Sequence, residues 1–433
     1  MTRIALVSSE PIRPKMAGIG IRYLELARRL PSFGFEVVLV SPAEPAETAV
    51  LGLGVLNVPI RPFERGRLRE ILGDCQAAVA QGQLANDVLL EIPELPVAID
   101  LYDPWLIENL TYAETLGFGP FRNDHATWVL QMSRGDFFLC SSEEQRTFYL
   151  GFLAALGRVN PERLAGDPDL DTLIAPVPFG VPDELPEHQP VLPPREPGEI
   201  RLLFGGLYDW YDPWTLLDAL ALAEKPDWRL FLIRNPNPES TPQRLMAEVE
   251  ARCRQLGWWA KNDQNDRDGR DGRVRILDWI PADRRYDLLR DVDLLVAPHR
   301  PSLETRLSLR TRFLDAMAAG CPVITSAGGA MSRMLREHGA GWVVPPGDAP
   351  ALAAALTEAV EDSAARERHQ AGARELLTAF RWDRALAPLV RFCREPKCDE
   401  TKERFVHRPG TTAPPDSLPL RIRRRLRGWR LVR

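Results

Sequence analysis

Apolar residues come in short blocks along the chain, and the blocks alternate between two kinds. The run 4–7 (Ile-Ala-Leu-Val) is continuously apolar, and after a loop holding Pro11, Pro14, Gly18 and Gly20 the segment 21–30 carries apolar residues at helical spacing. A second run follows at 36–40, and others stand at 77–80, 96–100 and 136–140, each separated by enough chain for a helix. After 183 the pattern lapses: 183–199 holds five prolines among polar residues. It then restarts with strands expected at 200–204, 228–233, 274–277, 294–297 and 323–325, and helices at 213–222, 242–256, 282–290 and 309–319. Continuous apolar strands alternating with amphipathic helices are the pattern of parallel sheets covered on both faces.

The chain therefore divides into a first Rossmann-like lobe at 1–183, a proline-rich linker at 184–199 and a second Rossmann-like lobe at 200–373. A segment at 374–396 with Leu376, Leu377, Phe380, Trp382, Leu386, Leu389, Val390 and Phe392 at helical spacing predicts a long C-terminal crossover helix. The stretch 397–433 is polar and then basic, and weak order is expected from Lys397; 261–273 reads as a mobile polar loop.

Composition adds limits. With 433 residues, 45% hydrophobic and 27% charged, the chain can bury two cores. No apolar run is long enough to cross a bilayer and no signal peptide is expected. The six cysteines are scattered, with no pair at metal-ligand spacing, which fits a reducing cytoplasm and predicts neither zinc nor disulfides. The net charge is −5, yet 418–433 holds seven arginines and no acid, so the body is acidic and not a nucleic-acid binder.

Chemistry concentrates in 298–325 (Pro-His-Arg-Pro-Ser-Leu-Glu-Thr-Arg-Leu-Ser-Leu-Arg-Thr-Arg-Phe-Leu-Asp-Ala-Met-Ala-Ala-Gly-Cys-Pro-Val-Ile-Thr). A helix capped by Ser308 would begin just past a strand's carboxyl end, where open α/β sheets bind ligands. Arg310 and Arg312 would hold phosphates there, and Asp315, one turn beyond Arg312, would accept ribose hydroxyls. His299 and Glu304 crowd the same loop. An Arg312–Asp315 surface ion pair is the bland alternative. The first lobe offers Asp100, Asp103 and Glu108 beyond strand 96–100 as acceptor-side groups, or as loop caps; Ser141 and Ser142 fit a helix cap better than a site. Gly18-Ile19-Gly20 lacks the third glycine of a dinucleotide fingerprint, so a nicotinamide cofactor is disfavoured. The Asp-x-Asp matches, Asp169/Asp171 and Asp291/Asp293, do not stand at strand ends, and no bound metal is called for.

The run Asp315-Ala-Met-Ala-Ala-Gly-Cys-Pro-Val-Ile-Thr-Ser-Ala-Gly-Gly329, with Gly341-Trp-Val-Val-Pro-Pro-Gly-Asp348 behind it, resembles the signature of the retaining, family-four glycosyltransferases of GT-B fold. The resemblance is tight over 273–360 and loose elsewhere. It implies two Rossmann-like domains facing a cleft, with a nucleotide-diphosphate sugar as donor substrate and no further cofactor. It also implies a saccharide or lipid-linked acceptor and retained anomeric configuration. Asp315 falls on the family's ribose-binding acid. The first acid's position, eight residues earlier, is Leu307, with Glu304 as its nearby substitute. The family's basic pair is missing from 204–213, where Tyr208, Trp210 and Asp212 form a Tyr-Asp-Trp-x-Asp turn similar to that of a bacterial cell-surface-polysaccharide branch; Arg310 and Arg312 are the replacements. The glycine loop, Gly18 and Gly20, would face the donor phosphates, and Trp210 would stack on base or sugar. The catalytic set is then Asp103, Glu108 and Glu304. The lost acid and basic pair keep open a sugar-nucleotide epimerase and a catalytically inactive binding protein. The basic tail 418–433, mixing arginine with Leu, Ile, Val and Trp, would either bring the enzyme to the inner face of the membrane or stand as a simple solvated basic tail.

Overall fold

The computed structural model describes residues 1–53, 57–235, 244–259 and 272–406. The first lobe is a seven-stranded parallel sheet, formed by β1 (Arg3–Val7), β2 (Glu36–Ser41), β3 (Ile60–Pro62), β4 (Ala77–Ala80), β5 (Val97–Asp100), β6 (Phe137–Cys140) and β7 (Ile174–Pro176). Its spatial order is β3-β2-β1-β4-β5-β6-β7. The second is a six-stranded parallel sheet of β8 (Ile200–Gly206), β9 (Trp228–Ile233), β10 (Val274–Leu277), β11 (Leu294–Ala297), β12 (Val323–Ser326) and β13 (Trp342–Val344), ordered β10-β9-β8-β11-β12-β13. The strands are buried almost throughout, as their unbroken apolar runs require. In both sheets the order reverses beside the first strand, opening a crevice at the strands' carboxyl ends. In the second lobe that crevice lies between β8 and β11, so the loops after Gly206 and after Ala297 meet there.

Three expectations need correction. Residues 363–394 form no single crossover helix: Ser363–Leu377 ends in a 3-10 turn, Arg381 is extended (φ −61°, ψ 141°), and Trp382–Ala385 and Ala387–Arg394 follow. The break lets the chain cross back to the first lobe. Val181 N–H donates to Phe380 O at 2.7 Å, Trp382 packs on Phe179, and Phe392 stacks on Phe137 with centroids 5.4 Å apart. Secondly, order does not weaken at Lys397. Asp399 accepts from fully buried Arg158 at 2.8 Å and pairs with Arg163, and its own N–H donates to Asp136; a helix follows at Thr401–Phe405.

Thirdly, the helix expected at 309–319 runs Thr311–Ala318, because the Ser308 hydroxyl donates to Glu304 and Ser308 instead ends a separate short helix, Leu303–Leu307. Segment 184–199 has no helix or strand and is held by side chains: Val191 and Leu192 N–H groups donate to Asp291 at 2.6 and 2.8 Å, and Arg195 pairs with Asp293 at 2.5 Å. That explains the Asp291-Val-Asp293 match, whose carboxylates clamp the linker. The loop expected at 261–273 lies largely outside the described residues, as does the basic tail 418–433. Among the described residues no helix is long and apolar enough to cross a membrane.

Candidate functional site

A cavity of about 280 Å³ opens between the lobes. Its second-lobe wall grows from the two strands flanking the crevice. After β8, Gly205 adopts φ +91° at a register shift in the β8/β9 pairing, a conformation that suits glycine. A Cβ there would stand 3.0 Å from Arg312 Nη1. The bare backbone lets Arg312 lie against the strand end, donating to Phe204 O at 2.8 Å and to Gly206 O at 3.3 Å. Tyr211 completes the clamp, its ring 4.5 Å from the Arg312 guanidinium and 5.2 Å from that of Arg310. Arg310 is buried and donates to Glu304 at 2.5 Å.

Asp315 lines the cavity one helical turn beyond Arg312. One carboxylate oxygen lies 3.4 Å from Arg285 Nε, and Tyr286 is also in hydrogen-bond contact with the group. The other oxygen is buried without a partner. Burial raises the pKa of Asp315 and Arg285 opposes the rise. An unsatisfied buried acceptor on a cavity wall carries a cost that a ligand hydroxyl would remove.

The first lobe supplies acids. Asp103 and Glu108 both line the cavity and touch each other. Burial pushes Asp103 up to about 6 and raises Glu108 well above the usual carboxyl value, helped by the charge of Asp103. Their mutual hydrogen bond lowers Asp103 and raises Glu108. Glu108 reaches across the lobes to within 3.4 Å of Ser308 Oγ. Gly18 lines the cavity too; a side chain there would strike Tyr102, whose ring covers Arg22.

The remaining expected residues sit elsewhere or behind the wall. Asp212 caps the helix Pro213–Ala223, with both oxygens engaged by Thr215, and does not line the cavity. Gly20 N–H donates to Glu10 at 2.7 Å and Ala17 N–H to the same carboxylate at 2.5 Å, so a carboxylate of the chain already fills the amide cradle expected to face a phosphate. Glu304 is buried behind the wall, held by Arg310 and Ser308. His299 is buried beside Tyr211, its Nδ1 3.2 Å from Thr325 Oγ1; burial, then Arg310 and Arg312, hold its pKa well below the usual imidazole value. Tyr208 and Trp210 line the cavity as a stacked pair, centroids 4.9 Å apart and 4° from coplanar. Asp100 is consumed by a fully buried ion pair with Arg22 at 2.6 Å, and Ser142 caps the helix Glu143–Ala155.

Sequence reasoning missed Arg285, Tyr286 and Trp279, which complete the wall around Asp315. Trp279 lines the cavity and donates across the lobes to Met16 O at 3.0 Å. The one visible signal was Arg284-Arg285-Tyr286 beyond a strand end. Among the described residues no group of three His, Cys, Asp or Glu is arranged to hold a metal.

Residues 201–362 match the family model of glycosyl transferases group 1. The matched segment carries the Arg310, Arg312 and Asp315 wall. Phosphatidyl-myo-inositol mannosyltransferase of Mycobacterium leprae is 30% identical over 118 residues, 27% of this chain and 30% of that protein. The match thus spans less than a third of that relative. D-inositol 3-phosphate glycosyltransferase of Xylanimonas cellulosilytica is 25% identical along 90% of this chain and 95% of its own. Among solved structures, Anabaena HepE in complex with UDP and glucose superposes with TM-score 0.62 at 14% identity, covering 90% of this chain and 99% of that one. Sucrose-phosphate synthase of Thermosynechococcus elongatus gives 0.59 at 17% identity, over 91% and 99%. The two parallel-sheet lobes are the GT-B fold of these glycosyltransferase structures.

Proposed function

We propose that the protein is a glycosyltransferase that moves a sugar from a nucleoside-diphosphate donor to a saccharide or lipid-linked acceptor, with retention of configuration. The observation that carries this reading is the unpartnered Asp315 oxygen on a cavity wall that also presents Arg310 and Arg312, inside the segment that matches group 1. Asp315 accepts the ribose hydroxyls, and the guanidiniums take the charge that accumulates on the departing diphosphate. Tyr208 and Trp210 offer a flat face at the rim of the same wall. Glu304, neutralised by Arg310, fixes that guanidinium and does not attack the sugar. Asp103, a carboxyl beside Glu108, orients the incoming hydroxyl from the opposite lobe. The leaving phosphate helps remove its proton, and no metal is required. UDP-glucose, with which HepE was solved in complex, is one starting choice.

The test is a melting screen of the purified protein against UDP-, GDP-, ADP- and dTDP-sugars, followed by transfer assays with the ligand that stabilises it. A stabilising donor whose sugar appears on an acceptor supports the proposal. Binding without transfer to any acceptor favours the inactive binding protein, and release of an epimerised sugar favours the epimerase.

A further inference from the structure

Beneath the acid loop of the first lobe lies an ion pair that core packing alone does not account for. Arg22 and Asp100 are both fully buried, and Nε and Nη2 of Arg22 donate to the two Asp100 oxygens at 2.6 and 3.1 Å. Taking two charges out of water is costly, and an apolar pair of similar volume commonly leaves a core as stable or more so. The guanidinium is also left short of one partner, since its Nη1 is buried without a hydrogen bond. What the pair has is reach. Arg22, on the helix Gly18–Arg29, joins two strand ends: β5 through Asp100, and the chain just past β7, where Nη2 donates to Val177 O at 2.9 Å. Asp100 Oδ1 also accepts the Tyr102 N–H at 3.3 Å, closing the bend that turns the chain from β5 toward the cavity. The guanidinium lies 4.8 Å from the centroid of the Tyr102 ring. Fully buried Gln145 donates to Tyr102 O at 2.9 Å and Tyr149 to Leu101 O at 3.0 Å, so the backbone of the bend is held on every side. Asp103 is the next residue, and Glu108 follows on the short helix Trp105–Asn109.

We propose that Arg22 is a positioning residue for the acid wall: through the Asp100 carboxylate and the Tyr102 ring it fixes where the Asp103 carboxyl stands in the cavity. The inference rests on the reading of Asp103 as the group that orients the incoming hydroxyl. Arg22 does not itself line the cavity. Its planar fork engages Asp100 and Val177 O at once, which a lysine ammonium cannot reproduce. Misplacing a reacting group by on the order of an ångström is enough to cost a large factor in rate, so a remote fork can matter without touching substrate.

The test is a double-mutant cycle in the transfer assay, combining Arg22→Lys, and separately Arg22→Met/Asp100→Leu, with Asp103→Asn. In the parent background each change at the pair should lower transfer by at least about tenfold. Nucleoside-diphosphate affinity should stay within about twofold, because the donor wall lies on the other lobe. In the Asp103→Asn background the same changes should cost less than about twofold, because the group they place is already gone. The apolar pair should melt close to the parent, and Arg22→Lys gives the same comparison with the cation kept. Equal losses of transfer in both backgrounds would make the pair a structural element only and overturn the proposal. A parent that transfers from none of the sugar nucleotides removes the transferase reading and this inference with it; an active parent whose Arg22→Lys variant transfers equally well removes the inference alone.

Discussion

The two lobes share one topology at the cleft but present opposite chemistry to it. The second lobe shows guanidiniums, Arg285, Arg310 and Arg312, each tied to a carboxylate, a carbonyl or an aromatic face. The first shows carboxyl groups, Asp103 and Glu108, buried against each other, with burial raising the pKa of both. The amide cradle at the start of its helix Gly18–Arg29, which could have bound an anion, is filled by Glu10. The same crevice geometry thus carries different chemistry on its two walls: guanidiniums on one and carboxyl groups on the other.

The sharpest way to break this contrast is to remove a charge from each wall. Arg310→Ala leaves Glu304 buried without its partner and should cost about 3–5 kcal/mol in urea unfolding, as loss of one member of a buried pair does. Asp103→Asn, on the other wall, removes a carboxyl that burial disfavours in its charged form, and should leave stability at pH 8 unchanged or raised. Equal destabilisation by both would erase the distinction.

Next in size, Arg312→Lys keeps the charge but loses the planar fork that spans Phe204 O and Gly206 O. Nucleoside-diphosphate affinity should fall by about tenfold or more in calorimetric titration. Asp103→Asn should leave that affinity within about twofold and lower transfer instead, because hydrogen bonding to the acceptor is what it removes.

A pH series separates the walls without mutation. The folded pKa of Asp103, about 6, lies above the unfolded carboxyl value, so the folded state binds its proton more tightly. Its contribution to stability is present at acid pH, declines as pH rises from the unfolded value through about 6, and is flat above that. Transfer should rise over the same window as the carboxylate forms, and Asp103→Asn should flatten the profile. The smallest effect expected is for Asp212→Ala: loss of a helix cap, about 1 kcal/mol, with nucleotide affinity unchanged. A large loss of affinity there would return Asp212 to the binding wall.

The sheets were legible because fully buried parallel strands leave continuous apolar runs. β3, β7 and β13 escaped: each is three residues long and lies at a sheet edge, and the first two end in proline. The donor wall was legible in part because Arg310, Arg312 and Asp315 lie within one short run and are brought together by local geometry. Arg285 and Trp279 reach the same cavity from another strand end, and Tyr286 meets Asp315 from the same segment, which only tertiary packing reveals. The same limit misassigned Gly20 and Asp212, whose polar partners, Glu10 and Thr215, consume them locally. Long-range pairing also decided order past Lys397, where Arg158 on the first lobe waits for Asp399.

The central claim is that the wall carrying Arg312 and Asp315 binds a nucleoside diphosphate. Titration of the parent and of the Arg312→Ala/Asp315→Ala variant with the nucleoside diphosphate that most raises the parent's melting temperature tests it most directly. The account predicts affinity at least about 100-fold weaker in the variant, with its fold intact by circular dichroism. An unchanged dissociation constant would contradict it.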